Sequence, residues 1–311
     1  MVRQPHFWSV KHHPFSVMLT PISWLWTGVS ALRAQMIKPY TSSVAVICIG
    51  NITAGGTGKT PTAITIAQAL QGKKVAFLTR GYGGKQKRPL LIQNATDAAQ
   101  YGDEAILLSR HAPTIVSKNR VAGLKIAEQQ GFDVVIADDG FQNPSFAKTK
   151  SILVIDGAIG LGNGSVIPAG PLRESAKKAA ARADAILIVG NDATYVAAYF
   201  PHKPVWRGDF KVAANAPDIT QPYVAFAGIG RPEKFFNTLG DHGYMLAETV
   251  SFPDHHVYSD ADIKRLQRLA QRHQAQLITT EKDRVKLPVS ADIASLPVTM
   301  MINRDLSGFL S

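Results

Sequence analysis

Cysteine is almost absent from this chain of 311 residues: Cys48 stands alone. One thiol excludes an intramolecular disulfide and any zinc site built from cysteines. Its place inside an apolar run reads as a buried core thiol in a reducing compartment. Internal repeats and low-complexity tracts are also missing. Acidic residues are scarce, 23 against 34 Lys and Arg, for a formal net charge of +11. That balance favours anionic partners: nucleotides, nucleic acid or an anionic membrane surface. Compact Lys/Arg blocks are lacking, so no nucleic-acid partner is expected.

A strongly apolar run of membrane-spanning length is lacking too. Residues 14–32 carry no charge, but Ser16, Thr20, Pro21, Ser23, Thr27, Gly28 and Ser30 interrupt them. A spanning helix needs ~20 predominantly apolar residues, so this one is marginal. A signal peptide would need a small-residue cleavage site and would export the protein. From Pro21 onward, Ile22, Leu25, Trp26, Val29, Leu32 and Met36 recur at helical spacing and form one apolar face. Trp24 and Trp26 suit a headgroup region, and the flanking Lys11, His12, His13, Arg33 and Lys38 suit anionic lipid. The same face would also suit packing on the protein's own core, and periodicity does not separate the two.

What is present is ample core material, 45% hydrophobic residues, in a length suited to two domains of ~100–200 residues. Short apolar or β-branched runs at 44–50, 74–79, 113–118, 133–138, 151–156 and 185–190 alternate with helical patterns at 59–71, 103–111 and 119–130. The alternation predicts a parallel sheet with helices on both faces. Residues 204–222 read as an extended ribbon. A smaller α/β set follows, with strands near 223–229, 245–250, 275–280 and 297–302 and helices opening at Pro232 and at Ser259-Asp260. The expected division is 1–40 (N-terminal helical segment), 41–203 (nucleotide-binding domain), 204–222 (ribbon) and 223–311 (smaller domain).

The segment TAGGTGKT, residues 53–60, follows the first strand and opens a helix. Thr53, Ala54, Gly55, Gly56, Thr57 and Gly58 would form a phosphate cradle of backbone N–H groups at a helix N-terminus. Lys59 would reach the β/γ-phosphates and Thr60 would hold Mg²⁺. Thr53 occupies the position where the full pattern begins with Gly. The run DVVIADDGFQ, 133–142, ends a predicted strand in Asp138 and Asp139, where a magnesium-binding acid belongs. Adjacent strand side chains face opposite ways, so only one of the two need be a ligand.

GDEAILL places Asp103 and Glu104 at a helix start, which acids favour on their own account, and where a general base for a hydroxyl acceptor would also serve. FPDHHVYSDADI carries Asp254, His255 and His256, spaced poorly for a helix-borne zinc site. Arg80, Arg173 and Arg231 sit in glycine-bearing loops after strand-like runs and are candidates for anionic groups.

Together GNITAGGTGKTP, TRGYGG, YGDEAILL, DDGFQN, IPAGPLRE, AGIGRPEKFF, FPDHHVYSDADI and TTEKDRVKL occur in the order and spacing of one family. The chain resembles the tetraacyldisaccharide 4'-kinases from the N-terminal helix to about residue 287. The resemblance implies a P-loop NTPase-like α/β fold, with a second smaller α/β domain joined by a β-ribbon and ATP bound between the two. It implies transfer of the γ-phosphate to a tetraacylated glucosamine disaccharide 1-phosphate, with ATP and Mg²⁺, at the cytoplasmic face of the inner membrane. By matching motif, Asp103 is the base and His255 its partner, with Lys59 on the phosphates. Thr60, Asp138, Asp139 and Glu104 serve the metal. Arg80, Tyr82, Asn143 and Arg173 serve the acceptor. Asn143 stands where the family commonly has His, and Asn also hydrogen-bonds. A monomer is expected, peripheral or anchored by a single helix. The competing reading is a P-loop GTPase or ATPase switch. A guanine reader needs Asn/Thr-Lys-x-Asp, and TEKD at 280–283 has those letters in the wrong order.

Overall fold

The computed structural model describes residues 5–310; residues 1–4 of the N-terminal segment and residue 311 of the smaller unit lie outside it. In chain order the elements are α1 (Pro14–Met36), β1 (Ala45–Gly50), α2 (Lys59–Ala69), β2 (Val75–Thr79), β3 (Leu90–Ile92), α3 (Ala98–Tyr101), α4 (Asp103–Ser109), β4 (Thr114–Val116), α5 (Arg120–Gln129), β5 (Val134–Asp138), β6 (Lys150–Asp156), α6 (Ala176–Arg182), β7 (Ala185–Val189) and β8 (Val205–Val212). There follow β9 (Pro222–Ala227), α7 (Pro232–Asp241), β10 (Met245–Ser251), α8 (Asp260–Arg272), β11 (Gln276–Thr280), α9 (Glu281–Arg284), β12 (Ala294–Leu296), β13 (Val298–Ile302) and α10 (Ser307–Leu310).

Continuous apolar runs become strands buried on both faces. In β1, Val46 and Cys48 join one core layer, with Leu124 and Ala127 of α5 and Ala179 of α6. Ile47 and Ile49 join the other, with Ala63 and Ile66 of α2 and Leu108 of α4. The period-2 alternation of side chains sends successive residues into opposite layers, so the run must be apolar throughout. The sheet has nine strands in the order β13-β8-β7-β6-β1-β5-β2-β4-β3. Only the two edge pairings are antiparallel, β13 with β8 and β3 with β4. The register Ile49↔Asp138 sets the end of β5 beside the start of the loop that follows β1. The loops after β1, β2, β5 and β6 therefore open on the same, C-terminal, edge, where ligands of such sheets bind.

A second sheet, β10-β9-β11-β12, is wholly parallel. Its helix α8 starts on a capping box between Ser259 and Asp262, at the position the sequence indicated. The segment 204–222, expected as an extended ribbon, contains one whole strand. Its β8 pairs in parallel with β7, and its antiparallel partner is β13, contributed by the far end of the chain. The strand expected at 297–302 thus belongs to the large sheet rather than to the small one. Edge strands of one sheet or another look alike in sequence, because either site is half-buried.

The N-terminal helix begins earlier than its apolar period suggested. His13 caps it, accepting from the Phe15 backbone N–H, and Pro14 occupies the first turn. Pro21 lies inside the helix without ending it. The helix is inside-out. Its buried residues are Ser16 and Ser23. Ser16 accepts from Asn163 Nδ2 at 2.9 Å, and Ser23 donates to the Val166 carbonyl at 2.7 Å. The opposite side carries Phe15, Met18, Ile22, Leu25, Trp26, Val29 and Leu32, all exposed, with Trp24 at 71% and Met36 at 85%. The protein's own core therefore does not take up this face.

Candidate active site

The loop after β1 is held from behind. Asn51 Nδ2 donates to the carbonyls of Thr53 and Gly55, and Ala54 N–H donates to Pro171. The Arg173 N–H donates to Ile52, so the loop and the segment 165–173 brace each other. Thr53 is buried and bridges to Leu172. The first loop position is thus a buried anchor outside the cavity lining, where a side chain is accommodated. Gly58 is different. It caps α2 at φ +91°, a region L-residues avoid, and a Cβ there would press on Phe210 and Met300.

The two aspartates separate as their positions require. Asp138 is buried and accepts from the Thr60 hydroxyl at 3.1 Å. Asp139 sits at φ +54° and turns the other way. Its carboxylate lies 3.1 Å from Arg173 Nη1 and 3.8 Å from Lys59 Nζ. Surrounding protein pushes the Asp139 carboxyl up, but Lys59 and Arg173 outweigh that and hold it below the usual range. For Asp138, burial and the Glu104 charge prevail and push its carboxyl up to about 7. Its Oδ1 has no hydrogen-bond partner among the described residues. A buried, unpaired carboxylate oxygen beside a hydroxyl is a donor set suited to a hard cation. Among the described residues no three His, Cys, Asp or Glu side chains cluster closely enough to cage a metal. A cation here would take few ligands from the protein and the rest from phosphate and water, as Mg²⁺ does.

Across the cleft stands a second constellation. Asp103 opens α4, is buried, and accepts from His255 Nδ1 at 3.0 Å. Lys282 Nζ is 3.5 Å from His255 Nε2, 3.2 Å from Glu104 Oε1 and 4.0 Å from Asp103 Oδ2. An ammonium only donates, so Nε2 accepts and the ring proton sits on Nδ1, facing Asp103. Burial pushes the Asp103 carboxyl up, but the His255 hydrogen bond and the Lys282 charge more than offset it and leave it below the usual range. Burial likewise opposes the Lys282 charge, yet Glu104 and Asp103 raise its ammonium above the ordinary lysine value. Tyr82 lies on the His255 ring, 4.8 Å between centroids. Gly102 makes this possible: at φ +89°, a Cβ on it would lie 2.4 Å from the Tyr82 carbonyl. The loops carrying Tyr82 and Asp103 touch backbone to backbone.

Between the two constellations lies a cavity of about 240 Å³. Gly56, Gly58, Lys59, Thr60 and Glu104 line one end, and Lys282 and Asp254 come to it from the smaller unit. Phe210, Phe235, Leu296 and Val298 make an apolar end, suited to a nucleotide base. Arg231 and Lys234 also line it, both 3.0 Å from the buried Asp156.

Other candidates fall elsewhere. Arg80 is exposed at the end of β2. Asn143 Oδ1 accepts from the Ser145 N–H, forming a local turn. His256 pairs with Asp262 and stacks on Phe252, so it supports the start of α8. Lys282 and Asp156 carried no recognisable role in the sequence; a lysine inside TTEKD shows its function only when its neighbours across the cleft are known.

Comparisons with known proteins converge. The family model described as LpxK, tetraacyldisaccharide-1-P 4'-kinase, matches residues 15–311. A tetraacyldisaccharide 4'-kinase from Parvibaculum lavamentivorans is 44% identical over 93% of this chain and 89% of its own length. One from Gluconacetobacter diazotrophicus is 44% identical over 95% and 93%. A crystal structure of LpxK from Aquifex aeolicus in complex with ATP superposes with a TM-score of 0.79 at 26% identity, covering 95% of this chain and 97% of that one.

Asp138 sets a pH dependence. Its ordinary value is 3.8, and in the folded protein it is raised to about 7. The native state therefore keeps a proton that the unfolded chain releases. That stabilising contribution is full below about pH 4 and is lost as pH rises through about 7, at up to ~1.4 kcal/mol per pH unit. Asp138→Asn removes the titration. With no nucleotide and a chelator present, the wild-type melting temperature should fall by several degrees relative to Asp138→Asn between pH 5.5 and 8. Parallel curves would mean that Asp138 is already ionised.

Proposed function

The chain belongs to the tetraacyldisaccharide-1-P 4'-kinase family, and from that premise we propose how its residues carry out the reaction. It is an ATP-dependent lipid kinase of lipid A biosynthesis. The acceptor is the 4'-hydroxyl of a tetraacylated glucosamine disaccharide 1-phosphate. The observation that carries the assignment of roles is the meeting, across one cavity, of a phosphate loop with Glu104, Asp254 and Lys282, which adjoin the hydrogen-bonded pair Asp103–His255.

Lys59 and the loop N–H groups hold the triphosphate. Thr60 and Asp138 would hold Mg²⁺, which when bound neutralises charge on the phosphate oxygens. Asp139 does not share that role; it orients Lys59 and Arg173. The acceptor oxygen forms its bond to phosphorus as the bond to the ADP oxygen breaks, and Asp103 takes the hydroxyl proton. His255 holds Asp103 in place from the other side. Tyr82, in tilted ring contact with His255, together with Arg80 and Arg173 would border the sugar phosphate. We read residues 41–203 as the phosphate-loop domain and the four-stranded unit from 223 as the domain that closes over it. Nothing favours a GTP-driven switch. In the TEKD segment Asp283 is fully buried and accepts from Gly228 N and Thr280 Oγ1, so it is not free to read a base.

Helix α1 supports a place at the cytoplasmic face of the inner membrane. It is long and apolar enough to cross a bilayer. Ser16 and Ser23 nevertheless tie it to residues 163–169 of the protein body. A helix bonded along its inner face and apolar along its outer one lies on a membrane.

Asp103→Ala should lower transfer to the lipid acceptor by about 10²–10⁴-fold while ATP affinity stays within a few-fold, measured by turnover and by calorimetry. Full activity in that variant would remove Asp103 from the base role. For α1, Leu25→Asp with Leu32→Asp should move the protein from sedimented phosphatidylglycerol vesicles to the supernatant without lowering its melting temperature, since both side chains are exposed. Unchanged co-sedimentation would show that another surface docks.

A further inference from the structure

We propose that Lys282 is a catalytic residue, a protein-borne cation that faces the transferring phosphoryl group from the wall opposite the phosphate loop. The inference rests on the reading of this cleft as the site of phosphoryl transfer to the acceptor, and it adds a residue to that reading.

Among the described residues four cations line the cavity: Lys59, Arg231, Lys234 and Lys282. Arg231 and Lys234 share Asp156, and Lys234 also lies over the Phe210 ring at 5.1 Å, so both belong to the apolar end. Lys59 comes from the loop. Among the described residues, Lys282 is the cation that stands where the phosphate loop meets the acceptor-side pair, 3.2 Å from Glu104 and 3.5 Å from His255 Nε2. Its side chain is 23% exposed, so it is reachable from the cavity.

Its backbone is fixed on both flanks. Thr280 caps α9 through the Asp283 N–H, and Asp283 accepts in turn from the Gly228 N–H. Glu281 accepts from the Val298 N–H at 3.1 Å. The neighbours on either side are thus committed to structure, and the residue between them projects into the cleft.

The charge count explains the need. Asp103, Glu104 and Asp254 place three carboxylates at this end, Asp254 Oδ1 lying 3.8 Å from His255 Nε2 and having no hydrogen-bond partner. A phosphoryl group carrying charge on its equatorial oxygens would be repelled there. One ammonium among the three relieves that repulsion, and it can exchange its contact with Glu104 for a phosphoryl oxygen without leaving the pocket. Stabilisation of this kind acts on the transition state more than on bound ATP.

The test compares wild type, Lys282→Met, Lys282→Gln and Asp103→Ala in one assay of transfer from ATP to the tetraacyl disaccharide. ATP affinity, affinity for ADP with aluminium fluoride and melting temperature are measured in parallel. Lys282→Met should lower kcat by about 10²–10³-fold and weaken the aluminium fluoride complex by a similar factor, with ATP affinity changed only a few-fold. Lys282→Gln keeps a donor to Glu104 without the charge and should show the same split; it serves if the Met variant fails to fold. If either folded variant binds the aluminium fluoride complex as wild type does, or loses it only in parallel with ATP, Lys282 is structural and the proposal is wrong. If wild type itself transfers no phosphate to the disaccharide, the reading of the cleft fails instead.

Discussion

The hydrogen bond from His255 Nδ1 to Asp103 Oδ2, 3.0 Å long, is the contact on which the rest of the site depends. It joins a loop of the four-stranded unit to the first residue of a helix packed on the nine-stranded sheet. Both partners are held by their surroundings. The backbone contact at Gly102 fixes where α4 begins, and the His255 N–H donates to the Gly228 carbonyl. The bond therefore defines a cleft of one width. On one side that cleft has a helix N-terminus with Lys59 and Thr60, and on the other Glu104 and Lys282 beside the Asp103–His255 pair.

Charge within the cleft is arranged by pairing rather than by excess. The chain is basic overall, but carboxylates in and around the cleft are matched separately: Asp139 with Lys59 and Arg173, Asp103 with His255, Glu104 with Lys282, and Asp156 with Arg231 and Lys234. Asp138 is an exception. Buried, with one oxygen unpaired and a raised carboxyl, it carries an electrostatic cost that a bound cation would offset. A site tuned in this way gives up stability in the empty state for affinity in the loaded one.

Much of this was legible in the sequence, and the parts that were not share a cause. The phosphate loop and β5 were readable because they are local: glycines, a Lys-Thr pair and an apolar run ending in acid specify their own geometry. Resemblance to a family supplied the Asp103–His255 pairing, since nothing local joins residues 152 positions apart. Lys282 escaped because its meaning lies in partners from another unit. The β8–β13 pairing escaped because antiparallel edge strands far apart in sequence carry no mark of each other. The apolar period of α1 was correct, but which way that face pointed was not decidable from the period; only Ser16 and Ser23 turned inward against residues 163–169 settled it. Asn143 was named by motif, and its Oδ1 accepts within a local turn.

In the proposed reading, the cleft and the exposed face of α1 serve one requirement, that a nucleotide from water meet an acceptor held by its acyl chains. The most direct measurement presents the tetraacylated disaccharide 1-phosphate in mixed micelles, adds ATP radiolabelled in the γ-phosphate, and follows the label with and without Mg²⁺. Label appearing on the lipid's 4'-oxygen, only with the cation present, is the predicted result. Label appearing solely as inorganic phosphate, with the disaccharide unmodified, would contradict it.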